Sequence, residues 1–412
     1  QWGFVGYVLS DFMFGMRDAR KAALAGEDLE MPFQMHYHQH LKRLVENGQV
    51  PPERVDDAML RLLRQQLRLI QPGDYDAAQV GSEANRALAR EAAEKSIVLL
   101  QNEGDLLPLR DVKKIAVIGR LADTPNTGDA GSSNTRPAYV VTPLAGIQAA
   151  IEGHADVLHD DGSDLERAKA TARAADAVVL VVGYTHVDEG EFMDPDTMEN
   201  MAPIFPPPSP EEVSLAQRFM QDAGGQVDDE FLTGGDRDQL TLHPEDEALI
   251  QAIASVNPRT IVAVMGGSAV IMEAWRASVP AILMLWYPGM EGGHALADIL
   301  LGRVNPSGKL PFVIPRRAED LPFFDRDATE IEYDLWHGYR KFERDGNTPA
   351  FPFGFGLSYT RYRYASLKLA QNRLGPSEIL KVSLDVCNIG AHAGEEVVQL
   401  YLRDKVASVS RP

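Results

Sequence analysis

Two apolar runs, far apart in the sequence, each lead into an acidic side chain suited to acid–base or nucleophilic chemistry. The first run, residues 4–9, is followed by Asp11, and the second, residues 177–183, is followed by Glu189. An acidic residue at the carboxyl end of a buried parallel strand usually faces an active-site mouth. Two such carboxylates can divide the cleavage of a glycosidic bond between them, one as nucleophile and the other as proton donor.

The composition limits the kinds of protein that can carry these residues. A chain of 412 residues is too long for one core, which predicts two or three domains. The apolar fraction of 44% excludes general disorder. The net charge of −20 argues against a nucleic-acid partner and against docking on an anionic membrane, and is typical of a protein kept in solution by its surface. No apolar stretch of the sequence reaches the length of a membrane span.

The termini and the single cysteine carry further expectations. The chain starts at Gln1, in the run-up to a strand and without an initiator Met, and it ends at Pro412, so both ends are expected to be cut. A periplasmic, a secreted and a cytoplasmic location all stay open. The single cysteine, Cys387, excludes an intrachain disulfide and a cysteine-based metal site. Its apolar neighbours Leu384 and Val386 predict a buried, inert thiol.

Hydrophobic periodicity predicts the elements around the first carboxylate. Residues 4–9 are expected to form a strand, and residues 17–25 a helix that stops at Gly26. Pro51 marks the start of a long amphipathic helix. A further helix is predicted over residues 82–101.

From residue 114 onward, strands and helices alternate around the second carboxylate. Strands are predicted at residues 114–119, 156–158, 177–183, 260–265 and 281–285, and helices at residues 143–151, 165–174, 244–256 and 289–300. Thr142 and Pro143 mark the start of the first of these helices as its cap and first helical residue. Continuous Val, Ile, Ala and Leu runs separated by helices are typical of a parallel sheet that is covered on both faces.

Two segments depart from this alternation. Residues 192–235 are crowded with proline and acidic side chains, and a loop of that length is usually functional or mobile. We expect this insert to form a lid or a subsite wall beside Glu189. From about residue 361 the pattern changes to antiparallel strands, expected at residues 365–369, 380–386 and 397–402, which is typical of the start of a β-sandwich.

A series of short motifs, in a preserved order over nearly the whole chain, is specific when taken together. They are Asp11-Phe12, residues 25–32 (AGEDLEMP), residues 96–102 (SIVLLQN), residues 128–133 (GDAGSS), Glu189-Gly190, Gly235-Asp236-Arg237, residues 286–289 (WYPG), residues 291–293 (EGG), residues 305–311 (NPSGKLP), residues 338–340 (GYR) and residues 353–360 (FGFGLSYT). With these motifs the chain resembles the multi-domain β-glucosidases of glycoside hydrolase family 3.

The resemblance implies an α/β architecture in several parts. Residues 1–75 would be the C-terminal part of a (β/α)₈-like barrel, and residues 76–315 an α/β sandwich with a mainly parallel sheet and the insert 192–235. Residues 316–360 would connect this sandwich to a partial fibronectin type III-like β-sandwich over residues 361–412.

The resemblance also implies a reaction. It is that of a retaining, exo-acting β-glycosidase, most simply a β-glucosidase, which acts on terminal β-D-glucosyl residues of oligosaccharides or of aryl and alkyl β-glycosides. Asp11 would be the nucleophile and Glu189 the acid/base. The nearby Asp188 and Glu191 are rivals for the acid/base, and Glu191 is the main one. Retention requires the two carboxyl groups to lie about 5–5.5 Å apart, so the loop with Glu189 must close over the barrel mouth. No cofactor is required, this fragment alone is expected to be inactive, and a homodimer is left open.

Four further residues are candidates for substrate binding. Phe12 stands where the family usually has Trp, which puts the ring platform or hydrogen bond of that Trp in question. Arg17 could orient the nucleophile or a sugar hydroxyl, or simply pack at the start of a helix. Asp236 and Arg237 are either an exposed pair of little consequence or the residues that order the loop carrying Glu189.

Other motifs have a plainer interpretation. The alternating His36, His38 and His40 suggest a metal site, but a polar loop is the expected reading, and no metal is assigned. The Gly-rich residues 128–133 lack the lysine of a phosphate loop and are expected to form a turn near the sugar site. Trp286 and Tyr287 are expected to pack in the core, with a sugar platform as the alternative. The acidic side chains of Glu27, Asp28 and Glu30 are expected to support the structure.

Two rival functions remain at this stage. Within enzymes the rival is a β-xylosidase or another aryl or natural-product β-glycosidase. From another class, the rival is an inactive carbohydrate-binding protein, for which Phe12 is the sequence support. Hydrolysis of a nitrophenyl glucoside separates these two classes.

Overall fold

The computed structural model of the protein describes residues 3–11, 15–31, 36–70, 76–128, 135–190, 235, 237–325, 328–375 and 377–406. These residues form two compact units, the first ending at Ala77 and the second beginning at Ala78. The predictions made for Phe12, for Glu191, for Asp236 and for the insert up to residue 234 lie outside the described residues, as do residues 129–133 of the Gly-rich motif.

The first unit is helical in its described part. Its helices are α1 (Ala19–Ala25), a π-helical turn (Tyr37–Leu41) that continues into α2 (Lys42–Glu46), and α3 (Pro52–Leu69). Asp18 caps α1 by accepting a hydrogen bond from the Lys21 N–H at 2.8 Å, which holds the pKa of the Asp18 carboxyl below its usual range. Gly26 ends α1 in the left-handed conformation, with φ +106°, as the sequence predicts.

The strand predicted at residues 4–9 is not formed, and this prediction was wrong. The run makes a single parallel bridge, between Leu9 and Leu29, and Phe4 remains 63% exposed. A strand needs hydrogen-bonded neighbours along its length. Among the described residues, the backbone of this run makes backbone–backbone hydrogen bonds only with residues 28 and 29. Its other hydrogen bonds in the described part are with the side chains of Asp28, Arg61 and Gln65.

The second unit is built on one mixed sheet. Its strands are β1 (Val98–Asn102), β2 (Lys114–Ile118), β3 (Asp156–Asp160), β4 (Ala177–Gly183), β5 (Thr260–Met265) and β6 (Ala281–Met284), in the order β1-β6-β5-β4-β2-β3. Strands β2 to β6 pair in parallel, and β1 pairs antiparallel with β6 at the edge. The unit is therefore an α/β fold with a mainly parallel sheet.

Helices of this unit cover both faces of the sheet, and seven α-helices lie in its described part. They are α4 (Glu83–Ser96), α5 (Pro143–Ile151), α6 (Leu165–Arg173), α7 (His186–Glu189), α8 (Pro244–Ala254), α9 (Gly292–Leu300) and α10 (Gly338–Asp345). Val179 and Val181 of β4 share one buried cluster with α5 and α9, whereas Val178 and Leu180 share the other with α6 and α8. Strand alternation thus sends neighbouring valines to opposite cores. No helix in the described ranges is both long and apolar enough to cross a membrane.

The helix predicted over residues 82–101 was too long. Helix α4 ends at Ser96, and β1 follows it as the edge strand of the sheet. The side chains of Val98 and Leu99 are fully buried. A continuous apolar run of this kind has no periodicity, so its sequence pattern is compatible with a buried helix and with a buried strand. Pairing with β6 decides between them.

The C-terminal residues form a hairpin rather than three strands. Strands β7 (Tyr362–Leu369) and β8 (Val382–Asn388) pair antiparallel, and residues 397–402 form no strand, contrary to the prediction. Cys387 is exposed, so the expected buried thiol was also wrong. Most of the side chains of β7 and β8 are exposed, because in the described part of the chain no second sheet covers the hairpin.

Gly183, the last residue of β4, should tolerate no larger side chain. Its φ is +127°, and a Cβ placed there would lie 1.9 Å from the carbonyl oxygen of Met265. We expect Gly183→Ala to lower the free energy of unfolding by about 2 kcal/mol or more, since the backbone strain and the clash add. Thermal unfolding followed by circular dichroism measures this. Gly235→Ala, where no atom lies within 4 Å, is the control, and equal melting of both variants would contradict the β4–β5 register.

Candidate active site

A short helix, α7, begins directly after β4 and carries Glu189 at its last position. Thr185 caps this helix through a reciprocal capping box. The Thr185 hydroxyl accepts from the helix backbone, and the Asp188 carboxylate accepts from the Thr185 N–H at 2.9 Å. Because the cap and the preceding Gly183 both fix the chain direction, the side chain of Glu189 is placed close to the carboxyl end of the sheet.

Three donors hold the Glu189 carboxylate. Its Oε1 atom lies 2.9 Å from Nε of Arg237. Its Oε2 atom accepts from the Gly267 N–H at 2.6 Å and from the Tyr287 hydroxyl at 2.5 Å. The Arg237 and Glu189 side chains are only 7% and 11% exposed, so solvent screens this ion pair little.

The sheet topology explains how these donors meet. Glu189 follows β4, Gly267 follows β5 and Tyr287 follows β6, and these three strands are neighbours in the sheet. Parallel strands end at the same edge, so residues far apart in sequence come together there. Arg237 lies on the far side of the insert. Its guanidinium stacks 4.3 Å from the ring of Tyr184, and it also donates to the Ala269 carbonyl at 3.2 Å.

The Tyr287 hydroxyl can stay hydrogen-bonded to Glu189 whether or not Oε2 carries a proton. Burial, followed by the hydrogen bond to Glu189, raises the pKa of the Tyr287 hydroxyl, which therefore stays protonated. A phenol both donates and accepts, so its rotation allows a protonated Oε2 to donate to the Tyr287 oxygen. The carboxyl group of Glu189 can therefore gain or lose a proton and keep its hydrogen bond to Tyr287.

Two of these partners were missed by sequence reasoning. Tyr287 was expected in the core, yet its hydroxyl contacts Glu189, and Gly267 was not singled out at all. The signal for both was their position just after a buried strand. Trp286 does pack as expected, edge-on to Phe312 at 5.6 Å, with its indole N–H donating to the Ser96 carbonyl.

In the first unit, Asp11 is exposed and follows a residue that is held firmly. The Ser10 N–H donates to the Leu29 carbonyl at 2.9 Å, and its hydroxyl accepts from the Met31 N–H at 2.9 Å. Nearby, Arg54 donates to the buried Asp28 carboxylate at 2.5 Å. These contacts anchor the backbone immediately before Asp11.

Among the remaining predicted residues of this unit, Glu30 has contacts that fix the backbone. Glu30 accepts from the backbone N–H groups of His36 and Tyr37, both at 2.8 Å, at the start of the helical segment that contains His38 and His40. The loop predicted for these histidines was therefore wrong. Burial raises the pKa of Tyr37 to about 12. Arg17 is exposed at the start of α1. Within the described ranges, no group of three or more His, Cys, Asp or Glu side chains has the arrangement of a metal site.

Similarity to known proteins identifies the family of this chain. Residues 97–359 match the profile of the glycosyl hydrolase family 3 C-terminal domain. The thermostable β-glucosidase B of Acetivibrio thermocellus is 30% identical, over 100% of this chain and 51% of that protein. A β-xylosidase of Formosa agariphila is 29% identical, over 99% of this chain and 56% of that protein.

The fold is also similar to that of a solved structure. The β-D-glucoside glucohydrolase of Trichoderma reesei matches with a TM-score of 0.74 and 25% identity, over 94% of this chain and 56% of that one. The chain spans about half the length of the curated relatives described above.

Proposed function

Since the chain belongs to glycosyl hydrolase family 3, we propose that the full-length protein is a retaining, exo-acting β-glycosidase, most simply a β-glucosidase. The observation that carries this proposal is the Glu189 carboxylate, held at the carboxyl edge of a parallel sheet by an arginine, a backbone amide and a phenol. That edge is where ligands bind in open α/β sheets. The substrate class is a β-linked glucosyl unit on an oligosaccharide, aryl or alkyl group.

The proposed reaction has two displacements. In the first, the Asp11 carboxylate attacks the anomeric carbon while the bond to the leaving oxygen breaks, and Glu189 gives its proton to that oxygen. In the second, water attacks the anomeric carbon of the glycosyl-enzyme and releases Asp11. Glu189 takes the proton from that water, which returns the enzyme to its starting state.

A second substrate deserves testing beside glucose. The Formosa agariphila relative is a β-xylosidase, and it matches nearly the whole of this chain. Xylose differs from glucose by the loss of one hydroxymethyl group. A site that hydrogen-bonds that group discriminates strongly between the two sugars, whereas a merely apolar contact discriminates weakly.

The domain organisation follows the same proposal. Residues 1–75 would complete a (β/α)₈-like barrel, and residues 76–315 form the α/β sandwich with the insert 192–235. Residues 316–360 connect it to a partial fibronectin type III-like domain over residues 361–412. The boundary between the two compact units, at Ala77 and Ala78, supports the first of these divisions and places Asp11 and Glu189 in different units.

The proposal is tested with the full-length protein and two nitrophenyl substrates. We expect hydrolysis of the β-D-glucoside with a kcat/KM higher than that of the β-D-xyloside, and proton NMR should detect the β-anomer as the first sugar released. Release of the α-anomer would contradict the double displacement. Binding of glucose without hydrolysis of either substrate would favour an inactive carbohydrate-binding protein instead.

A further inference from the structure

Five side chains form a closed ring of contacts around α7. Glu189 pairs with Arg237 at 2.9 Å, and the Arg237 guanidinium stacks on Tyr184 at 4.3 Å. The ring of Tyr184 meets that of His243 edge-on at 5.1 Å, and Nε2 of His243 lies 2.9 Å from Oδ1 of Asp188. Asp188 and Glu189 are consecutive in α7, which closes the ring.

Each member of this ring is fixed from outside as well. Tyr184 is 2% exposed, and its hydroxyl donates to the Thr241 carbonyl. His243 immediately precedes Pro244, the first residue of α8, so its backbone is fixed by that helix. The second carboxylate oxygen of Asp188 accepts from both the N–H and the hydroxyl of Thr185, at 2.9 and 3.3 Å.

The His243–Asp188 contact lies beside a cavity that Glu189 does not line. Both residues line a cavity of about 530 Å³ outside the carboxyl ends of β2 and β4, together with Arg120 and the buried Asp246. Glu189 is not part of that lining. An imidazole with its hydrogen on Nε2 can donate to the Oδ1 atom of Asp188.

We propose that His243 and Asp188 are positioning residues for Glu189. Their hydrogen bond holds α7 in the orientation that lets the carboxyl group of Glu189 reach a leaving oxygen. The inference rests on the proposed function of Glu189 as acid/base. Proton transfer requires hydrogen-bond reach, and a small misplacement of a catalytic group lowers the rate steeply.

The test compares substrates that do and do not need the proton. In the full-length protein, His243→Leu removes the donor and should lower kcat/KM for cellobiose by about 10-fold to 100-fold. The loss for 2,4-dinitrophenyl β-D-glucoside should be much smaller, because dinitrophenolate leaves unprotonated. The decrease should appear mainly in kcat. His243→Gln, which retains an N–H donor, should recover much of the cellobiose activity.

Two further variants complete the design. Asp188→Asn keeps an acceptor for the Thr185 N–H and should change the ratio of the two substrates in the same direction as His243→Leu. The double variant should be no worse than the more severe single one, because both act through one contact. His154→Leu removes an exposed histidine, which makes it the matched control, and should behave as the wild type.

The positioning role of His243 and the acid/base role of Glu189 can fail independently. If His243→Leu lowers both substrates equally, or changes neither, the positioning role is overturned whatever the identity of the acid. The acid itself is tested by azide rescue of Glu189→Ala. If that rescue fails while the substrate ratio in His243→Leu still changes, the proposed acid is wrong, and the ring positions another proton donor of the same turn.

Discussion

Asp11→Ala is expected to lower turnover of β-glucosides by about four orders of magnitude or more in the full-length protein, since a covalent nucleophile has no substitute within the same step. The residue follows a backbone segment anchored by Ser10 and by the Asp28–Arg54 pair, so the substitution should remove the carboxylate without moving the chain. Steady-state kinetics with a nitrophenyl β-D-glucoside measures the loss.

A covalent label identifies the same residue independently. A 2-fluoroglucoside with a good leaving group should react once and then stall, because fluorine disfavours the positively charged transition state of the second step. Mass spectrometry of the digested protein should find the label on Asp11. Asp18→Ala is the control, because Asp18 only caps α1 and its loss should leave turnover intact. A label on any other carboxylate would refute the assignment.

Glu189→Ala should give the second large effect, and it should depend on the leaving group. We expect kcat/KM for cellobiose to fall by about 10²-fold to 10⁴-fold, the usual contribution of a general acid. Dinitrophenyl β-D-glucoside should be affected far less in its first step. Azide should restore turnover and yield β-glucosyl azide, because the anion attacks the glycosyl-enzyme without needing a base.

Glu191→Ala is the matched comparison, two residues further along the chain. It should show neither the leaving-group dependence nor the azide product. If Glu191→Ala is the variant that azide rescues, then Glu189 is the anchor of the turn and Glu191 the proton donor. The melting temperature must be measured for Glu189→Ala, because Arg237 would lose its buried partner, which is destabilising by about 3–5 kcal/mol for a buried pair.

Local signals predicted much of the second unit. Helix α5 begins at Pro143 and ends at Ile151, as expected, because a capping Thr142 and a proline at the first position leave little choice of start. Strand β4 also has its predicted bounds, since its uninterrupted apolar run is buried on both faces.

The errors arose where pairing decides the structure. Residues 98–101 were predicted to be the end of a helix, but pairing with β6 makes them part of a strand. Residues 4–9 have the composition of a strand but lack its hydrogen-bonded neighbours. Cys387 was predicted to be buried from its apolar neighbours, yet alternation along a strand buries nothing unless another layer covers it. These are long-range facts that a local window does not contain.

In the candidate site, too, some residues could be found from the sequence and others depend on strand pairing. Glu189 and Arg237 were singled out because acidic and basic side chains at motif positions are visible in the sequence. The Gly267 amide and the Tyr287 hydroxyl were not, because their role depends on β4, β5 and β6 being neighbours in the sheet. A sequence does not show which backbone N–H will bind a side chain, since every residue except proline has one.

The Glu189–Arg237 pair joins the two sides of the segment between residues 190 and 236. Both members of the pair are also held by residues of the sheet edge, Glu189 by Gly267 and Tyr287, and Arg237 by Tyr184 and Ala269. A substitution confined to the residues between them therefore leaves these described contacts of the carboxylate and of the guanidinium in place.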